Sequence, residues 1–285
     1  MTKKRVLAIS FSGVILALSI AFIPTAFTSA DEATILADSM RYDPNTGNIT
    51  AAGNVRLVSA DGEVFGDDGL GSVSGDNFEL HGNVRGHLKT KDGKTVDITC
   101  AAATLRGSGD SGRVITASGN VKITRGSENL TADTVTWDTG VEKYSASGNV
   151  LGVFEAYSID ADAVSRDRGV FEARTIRRFT EHARKINMSA SSAEGTLNEN
   201  NEVTELTADG GVTVTMPDKE GAVTRATGKT GVYSLARGTV VLSGRAAVTQ
   251  SGRVLNSENI VYFIDSGRID ARGNPSLTFE TDGKK

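Results

Sequence analysis

After residue 30 the chain alternates apolar and polar residues with a period of two, in short runs broken by glycine-containing turns. Val55 and Leu57 flank Arg56, and Val121 and Ile123 alternate with Lys122 and Thr124. Val84 and Leu88 stand among Arg85 and His87, while Val212, Val214 and Met216 alternate with Thr213 and Thr215. One apolar face per run is strand patterning. A second set of runs, such as Leu130 to Trp137 and Ile35 to Tyr42, is equally strand-like. These tend to close in Asp-x-Gly turns, at Asp110–Gly112, Asp138–Gly140, Asp167–Gly169 and Asp265–Gly267. No segment after residue 30 carries a convincing 3.6-residue period. The pattern therefore predicts an all-β chain.

The runs repeat. Gly-Asn-Val recurs at Gly53, Gly82, Gly119 and Gly148, with degenerate copies at Gly210-Gly211-Val212 and Gly273-Asn274-Pro275 and with Gly244 holding the place between. Upstream of each lies a small residue, usually followed by an acid: Ala37-Asp38, Gly66-Asp67, Ala132-Asp133, Ala161-Asp162 and Ser257-Glu258. Cys100-Ala101 and Ala190-Ser191 are weaker copies. From 37 to 53, 66 to 82, 132 to 148 and 257 to 273 the offset is constant at 16 positions. Two landmarks held at one offset, with a period near 32 residues, predict about eight units of two strands, or about sixteen strands in all. A length of 285 residues suggests two domains on the usual ~150-residue expectation. The repeat predicts instead one elongated array over residues 31–285, each thin unit burying its apolar face on its neighbours.

Composition narrows the function. With 38% hydrophobic residues the chain is able to bury a core, and its 32 glycines find a use at the recurring turns. One cysteine excludes a disulfide framework and a cysteine-based zinc cluster. A formal charge of −4 gives no sign of a nucleic-acid binder. Residues 1–30 read as an export signal: Lys3, Lys4 and Arg5 precede an apolar run over 6–23, Pro24 breaks it, and Thr28-Ser29-Ala30 supplies small residues before Asp31. An uncleaved membrane anchor is the rival reading, although 18 residues at ~1.5 Å span ~27 Å, just short of a ~30 Å hydrocarbon core. Either way residues 31–285 are expected to cross the membrane.

Motifs with a catalytic look are better explained as structure. Gly107-Ser-Gly-Asp-Ser-Gly112 matches a dinucleotide fingerprint and, in part, a serine-protease nucleophile. Such a fingerprint must open a helix, yet Arg113 to Ala117 continues as a strand, and nothing marks His81 or His87 as the partner of Ser111. The recurring acids Asp38, Asp67, Asp133 and Asp162 are more simply a corner device than a carboxylate site. The three histidines lack metal-ligand spacing. Cys100 fills a small-residue slot, and Trp137 and Tyr42 hold equivalent positions in their units. No catalytic residue, metal or cofactor is expected. The fifth unit lacks Gly-Asn-Val and is locally basic, with Arg166, Arg168, Arg174, Arg177, Arg178, Arg184 and Lys185 against Asp167, Glu172 and Glu181. It is either a solvated edge that discourages strand pairing or a surface for phosphates.

The units, reading Ala-Asp-x-apolar-x-[Tyr/Trp]-Asp, turn, Gly-Asn-Val-x-apolar, resemble the OstA-like family of periplasmic lipopolysaccharide-transport proteins of the LptA and LptC type. Ile35–Leu57 and Asn129–Val150 carry the resemblance most clearly, and it spans nearly all of 31–285. It implies an open β-jellyroll whose apolar interior accepts lipopolysaccharide acyl chains. It also implies a periplasmic place, end-to-end stacking of copies, and contact with other OstA-like proteins in a bridge between the two membranes. On that reading Val55, Leu57, Val84, Val121, Ile123, Val150, Val212, Val214 and Met216 are the candidates to line a lipid slot. Arg174, Arg177 and Arg178 are the candidates for headgroup contact. The plainer reading of the nine apolar residues is a closed core. A secreted or surface β-solenoid of structural or adhesive role is the alternative function, and a solenoid polysaccharide lyase a more distant one.

Overall fold

The computed structural model describes residues 34–279, apart from 60–61, 73–76, 90–93, 109–111, 139–140, 142, 156, 183–184, 199–202, 218–221, 235 and 265. The export segment expected at residues 1–30 lies outside the described residues. Every α-helix or strand assigned among them is a strand. In chain order these are β1 (Thr34–Leu36), β2 (Ser39–Tyr42), β3 (Asn48–Ser59), β4 (Gly62–Ser72), β5 (Asn77–Lys89) and β6 (Thr95–Ser108). Next come β7 (Gly112–Arg125), β8 (Glu128–Asp138), β9 (Lys143–Val153), β10 (Tyr157–Asp167), β11 (Val170–Glu181) and β12 (Ile186–Leu197). The last six are β13 (Val203–Pro217), β14 (Val223–Ser234), β15 (Thr239–Gln250), β16 (Arg253–Phe263), β17 (Ile269–Arg272) and β18 (Ser276–Thr278).

From β3 to β16 each strand pairs antiparallel with the next in sequence, giving one continuous meander. The two ends are finished alike. β1 and β2 both pair with β3, and β17 and β18 both pair with β16, so each end is a single row split in two. Fourteen full strands and two split rows make sixteen rows, the number the repeat predicts.

Each row bends in its middle, and the landmarks mark the bend. Between Ala52/Asp68 and Val55/Gly66 the register shifts, so that Gly53 and Asn54 together oppose Asp67 alone. Two residues facing one is a β-bulge, which kinks the strand. The backbone is left-handed at both bulge residues, with φ 75° at Gly53 and 49° at Asn54. Asparagine is among the few side chains that tolerate this region, and Asn83, Asn120, Asn149 and Asn274 repeat it at φ 49–52°. The bend divides every row into two arms. On β5, Phe78 and Leu80 point inward before the bend, and Val84 and Leu88 after it. The inward residues of both arms belong to a single hydrophobic core running the length of the sheet.

Candidate functional site

The two arms face one another across an apolar slot that has free volume in two stretches. The first, about 100 Å³, lies between β3 and β9 and takes lining from both arms: Leu57, Val84 and Ile123 on one, Phe78, Leu105 and Trp137 on the other. The second, about 310 Å³, lies between β11 and β16, with Val212, Val214 and Met216 facing Leu206, Tyr233 and Leu242. Apart from the Glu181 carboxylate, both linings are almost wholly apolar side chains.

The nine apolar candidates therefore fall into two groups. Leu57, Val84, Ile123, Val212, Val214 and Met216 border free volume. Val55, Val121 and Val150 do not: at 0%, 1% and 0% exposure they are packed at the bend, opposite the small residues Gly66, Ala132 and Ala161. Trp137 lines the first stretch, tilted against Tyr144 at a ring distance of 5.9 Å. Tyr42, its counterpart in the terminal row, is 52% exposed because no further row covers it. The lining of the arm before the bend, including Phe78, Leu80, Leu206 and Leu242, was not among the candidates. The same period of two in the first half of each strand is the signal that would have found it.

The corner acids are tied to the asparagines of the following row. Asn54 Nδ2 donates to Asp38 Oδ2 over 2.8 Å, Asn83 to Asp67 over 2.8 Å, and Asn149 to Asp133 over 3.3 Å. Each pair is 16 residues apart, which is the physical origin of the constant offset. In the fifth unit an arginine takes over. Arg177 Nε donates to Asp160 Oδ1 over 2.5 Å, Nη2 to the Ala161 carbonyl over 3.0 Å, and Nη1 to the Asp162 carboxylate. The Arg177 bond, helped by Thr175, holds the Asp162 carboxyl below its usual range, and the two carboxylates raise the Arg177 pKa in return. Arg177 is thus a structural clamp. Arg174 and Arg178 are exposed on the outer face, and among the described residues no acid pairs with them.

Cys100 borders the first stretch, where burial pushes its thiol up to about 11 against weaker opposing backbone hydrogen bonds at Ser118 and Ala102. That favours an inert small side chain. The Gly107–Gly112 motif joins β6 to β7 as a hairpin, with Ser108 paired to Gly112 and no helix after it. Among the described residues no group of three His, Cys, Asp or Glu side chains is placed to hold a metal.

An open, repeat-built antiparallel sheet folded about an apolar slot is the class of protein that these features define. The chain belongs to the family described as LptA/(LptD N-terminal domain) LPS transport protein, which matches residues 102–268. This is the family that the Gly-Asn-Val and Ala-Asp landmarks resemble. Among solved structures it is similar to LptH, the LptA homologous periplasmic component of the lipopolysaccharide transport device from Pseudomonas aeruginosa. That likeness has 17% identity and a TM-score of 0.33, and covers 54% of this chain and 95% of that one. No curated protein matches the chain in sequence.

Proposed function

We propose that the protein acts in the periplasm as a carrier of lipopolysaccharide, shielding acyl chains in the slot as part of the bridge from inner to outer membrane. The observation that carries this reading is the slot itself: two arms of aliphatic and aromatic side chains, open between them, in a member of a lipopolysaccharide-transport family. At about 0.8 kcal/mol per buried methylene, a ~14-carbon chain exposed to water costs on the order of 10 kcal/mol. A row of similar apolar positions offers cover without one deep site. Arg174 and Arg178 are the cations available to headgroup phosphates. The split terminal rows expose Leu36, Met40 and Tyr42 at one end and Leu277 and Phe279 at the other, as suits end-to-end stacking of copies and docking of related partners by strand addition.

Photocrosslinking in cells tests the reading. A probe at Ile123 or Val212 is expected to capture lipopolysaccharide, whereas one at the outward-facing Leu151 captures none. A folded, exported protein that yields no lipid adduct from either slot position overturns it. Depletion is expected to strand lipopolysaccharide at the inner membrane.

A further inference from the structure

The two stretches of free volume share no lining residue. Between them, on β9 to β12, the slot is filled by aromatic rings. Phe154 and Tyr157 flank the β9–β10 turn, where the Phe154 amide donates to the Tyr157 carbonyl over 2.8 Å and holds the turn tight. Their ring centroids are 4.8 Å apart, and Tyr157 stacks on Phe179 at 5.8 Å. The three rings are 4%, 1% and 4% exposed. Phe171, 1% exposed, lies over Gly195 on the other arm.

Glycine makes the filling possible. Gly86 and Gly152 occupy the same place in their rows, two residues past Val84 and Val150. At Gly86 an added Cβ would meet nothing nearer than Val64 Cγ2 at 3.6 Å, and the space belongs to the first chamber. At Gly152 it would lie 2.6 Å from Phe154 Cε2, because the Phe154 ring is folded back over it. One glycine opens the slot; the other seats a ring that closes it. On β11 the equivalent position, paired with Met188, is Phe179 itself.

We propose that the slot is two acyl-chain sites and not one channel, with Phe154, Tyr157 and Phe179 forming a septum between them. This rests on the slot being the lipid-carrying surface. Apolar chains are the occupant because the walls of both chambers are aliphatic and aromatic, in a chain of a lipopolysaccharide-transport family. A chain seated in the first chamber then touches Trp137, the lone tryptophan, and a chain in the second does not.

That asymmetry supplies the test. The mature protein is titrated with dibromostearate, whose bromines quench tryptophan at contact, while bound equivalents are counted by native mass spectrometry. Two equivalents are expected, only one of which quenches Trp137. Gly86→Leu fills the first chamber from an unstrained position; it is expected to lose one equivalent and the quenching with it. Val214→Phe, in the second chamber, is expected to lose one equivalent and keep the quenching. Saturation of the unaltered protein at one equivalent with full quenching overturns the two-site proposal and leaves the carrier reading standing. Loss of quenching in a folded Val214→Phe protein does the same. No binding of dibromostearate to the unaltered protein overturns both.

Discussion

Asp38 and Gly53 approach so closely that no side chain has room at residue 53: a Cβ there would lie 2.5 Å from Asp38 Oδ2, the oxygen that also accepts from Asn54. Gly53 is also left-handed, at φ 75°. Gly53→Ala is expected to combine the backbone cost of about 1 kcal/mol for a non-glycine residue in this region with displacement of the Asp38 carboxylate. A fall in the urea midpoint corresponding to about 2 kcal/mol is expected, larger than for Asn54→Ala, which loses only a hydrogen bond of about 0.5–1 kcal/mol.

One corner lacks its acid. Asn120 has the same left-handed backbone, φ 50°, but Ala101 stands where the other rows have Asp, with its Cβ 2.6 Å from where a Gly119 Cβ would sit. Ala101→Asp is expected to supply the missing acceptor and stabilise the protein by about 0.5–1 kcal/mol in urea denaturation. An unchanged or lower midpoint would show that the Asp–Asn bond is not what steadies the corner.

Arg177 and Arg178 are neighbours with different work. Arg177→Gln is expected to lower the denaturation midpoint at neutral pH, and Arg178→Gln to leave it nearly unchanged. The folded-state pKa of Asp162 is lowered, chiefly by Arg177. Its contribution is therefore present above the ordinary carboxylate pKa, about 4, and is lost as pH falls through the folded value. The gap between the unaltered protein and Arg177→Gln should close in that acid range. A gap that stays constant down to pH 2 would exclude the ion pair as its source.

Cys100 should be slow to alkylate. With its thiol raised to about 11 by burial, almost none is thiolate at pH 8, and iodoacetamide labelling is expected to proceed only as fast as the protein opens. The folded value lies above the unfolded one, so the thiol's contribution to stability is present at neutral pH and fades as pH rises through 9 towards 11. Rapid labelling of the folded protein at pH 8 would show that the first chamber admits reagent and ionises the thiol.

The septum should be a strong point of the fold. Phe154→Ala is expected to cost about 3 kcal/mol as a large-to-small change in a packed core. Gly152→Ala, which pushes a Cβ to 2.6 Å from the Phe154 ring and 3.1 Å from Ile159, is expected to cost about 1–3 kcal/mol by overpacking. Thermal denaturation of the two variants separates a packed septum from a loose one, in which neither change would matter.

The corners were legible in the sequence because a backbone need and a side-chain bond coincide there. The bulge demands left-handed residues, which writes Gly-Asn, and the Asn–Asp bond fixes the 16-residue offset. The fifth corner was not, since Arg177 reaches the same carboxylate from a bulge with no glycine and left only a basic run to notice. Alternation identified the inward face of each strand but not its depth. Val121 and Ile123 look alike in sequence, yet one is packed against Ala132 at the bend and the other borders free volume. The septum was hidden for a related reason: Gly86 and Gly152 differ only in whether an aromatic ring two residues further on folds back.

The unbroken meander has a kinetic side. Because every row pairs only with the rows beside it in sequence, no strand waits for a partner synthesised much later, and loop closure is cheap at each step. A chain emerging N-terminus first can add rows in the order they appear. Until β17 and β18 arrive, the growing edge is a full-length strand with its hydrogen-bonding side open. The vulnerable species during biogenesis is thus the unfinished ladder, and a C-terminal truncation should reveal itself first as aggregation rather than as loss of the folded N-terminal rows.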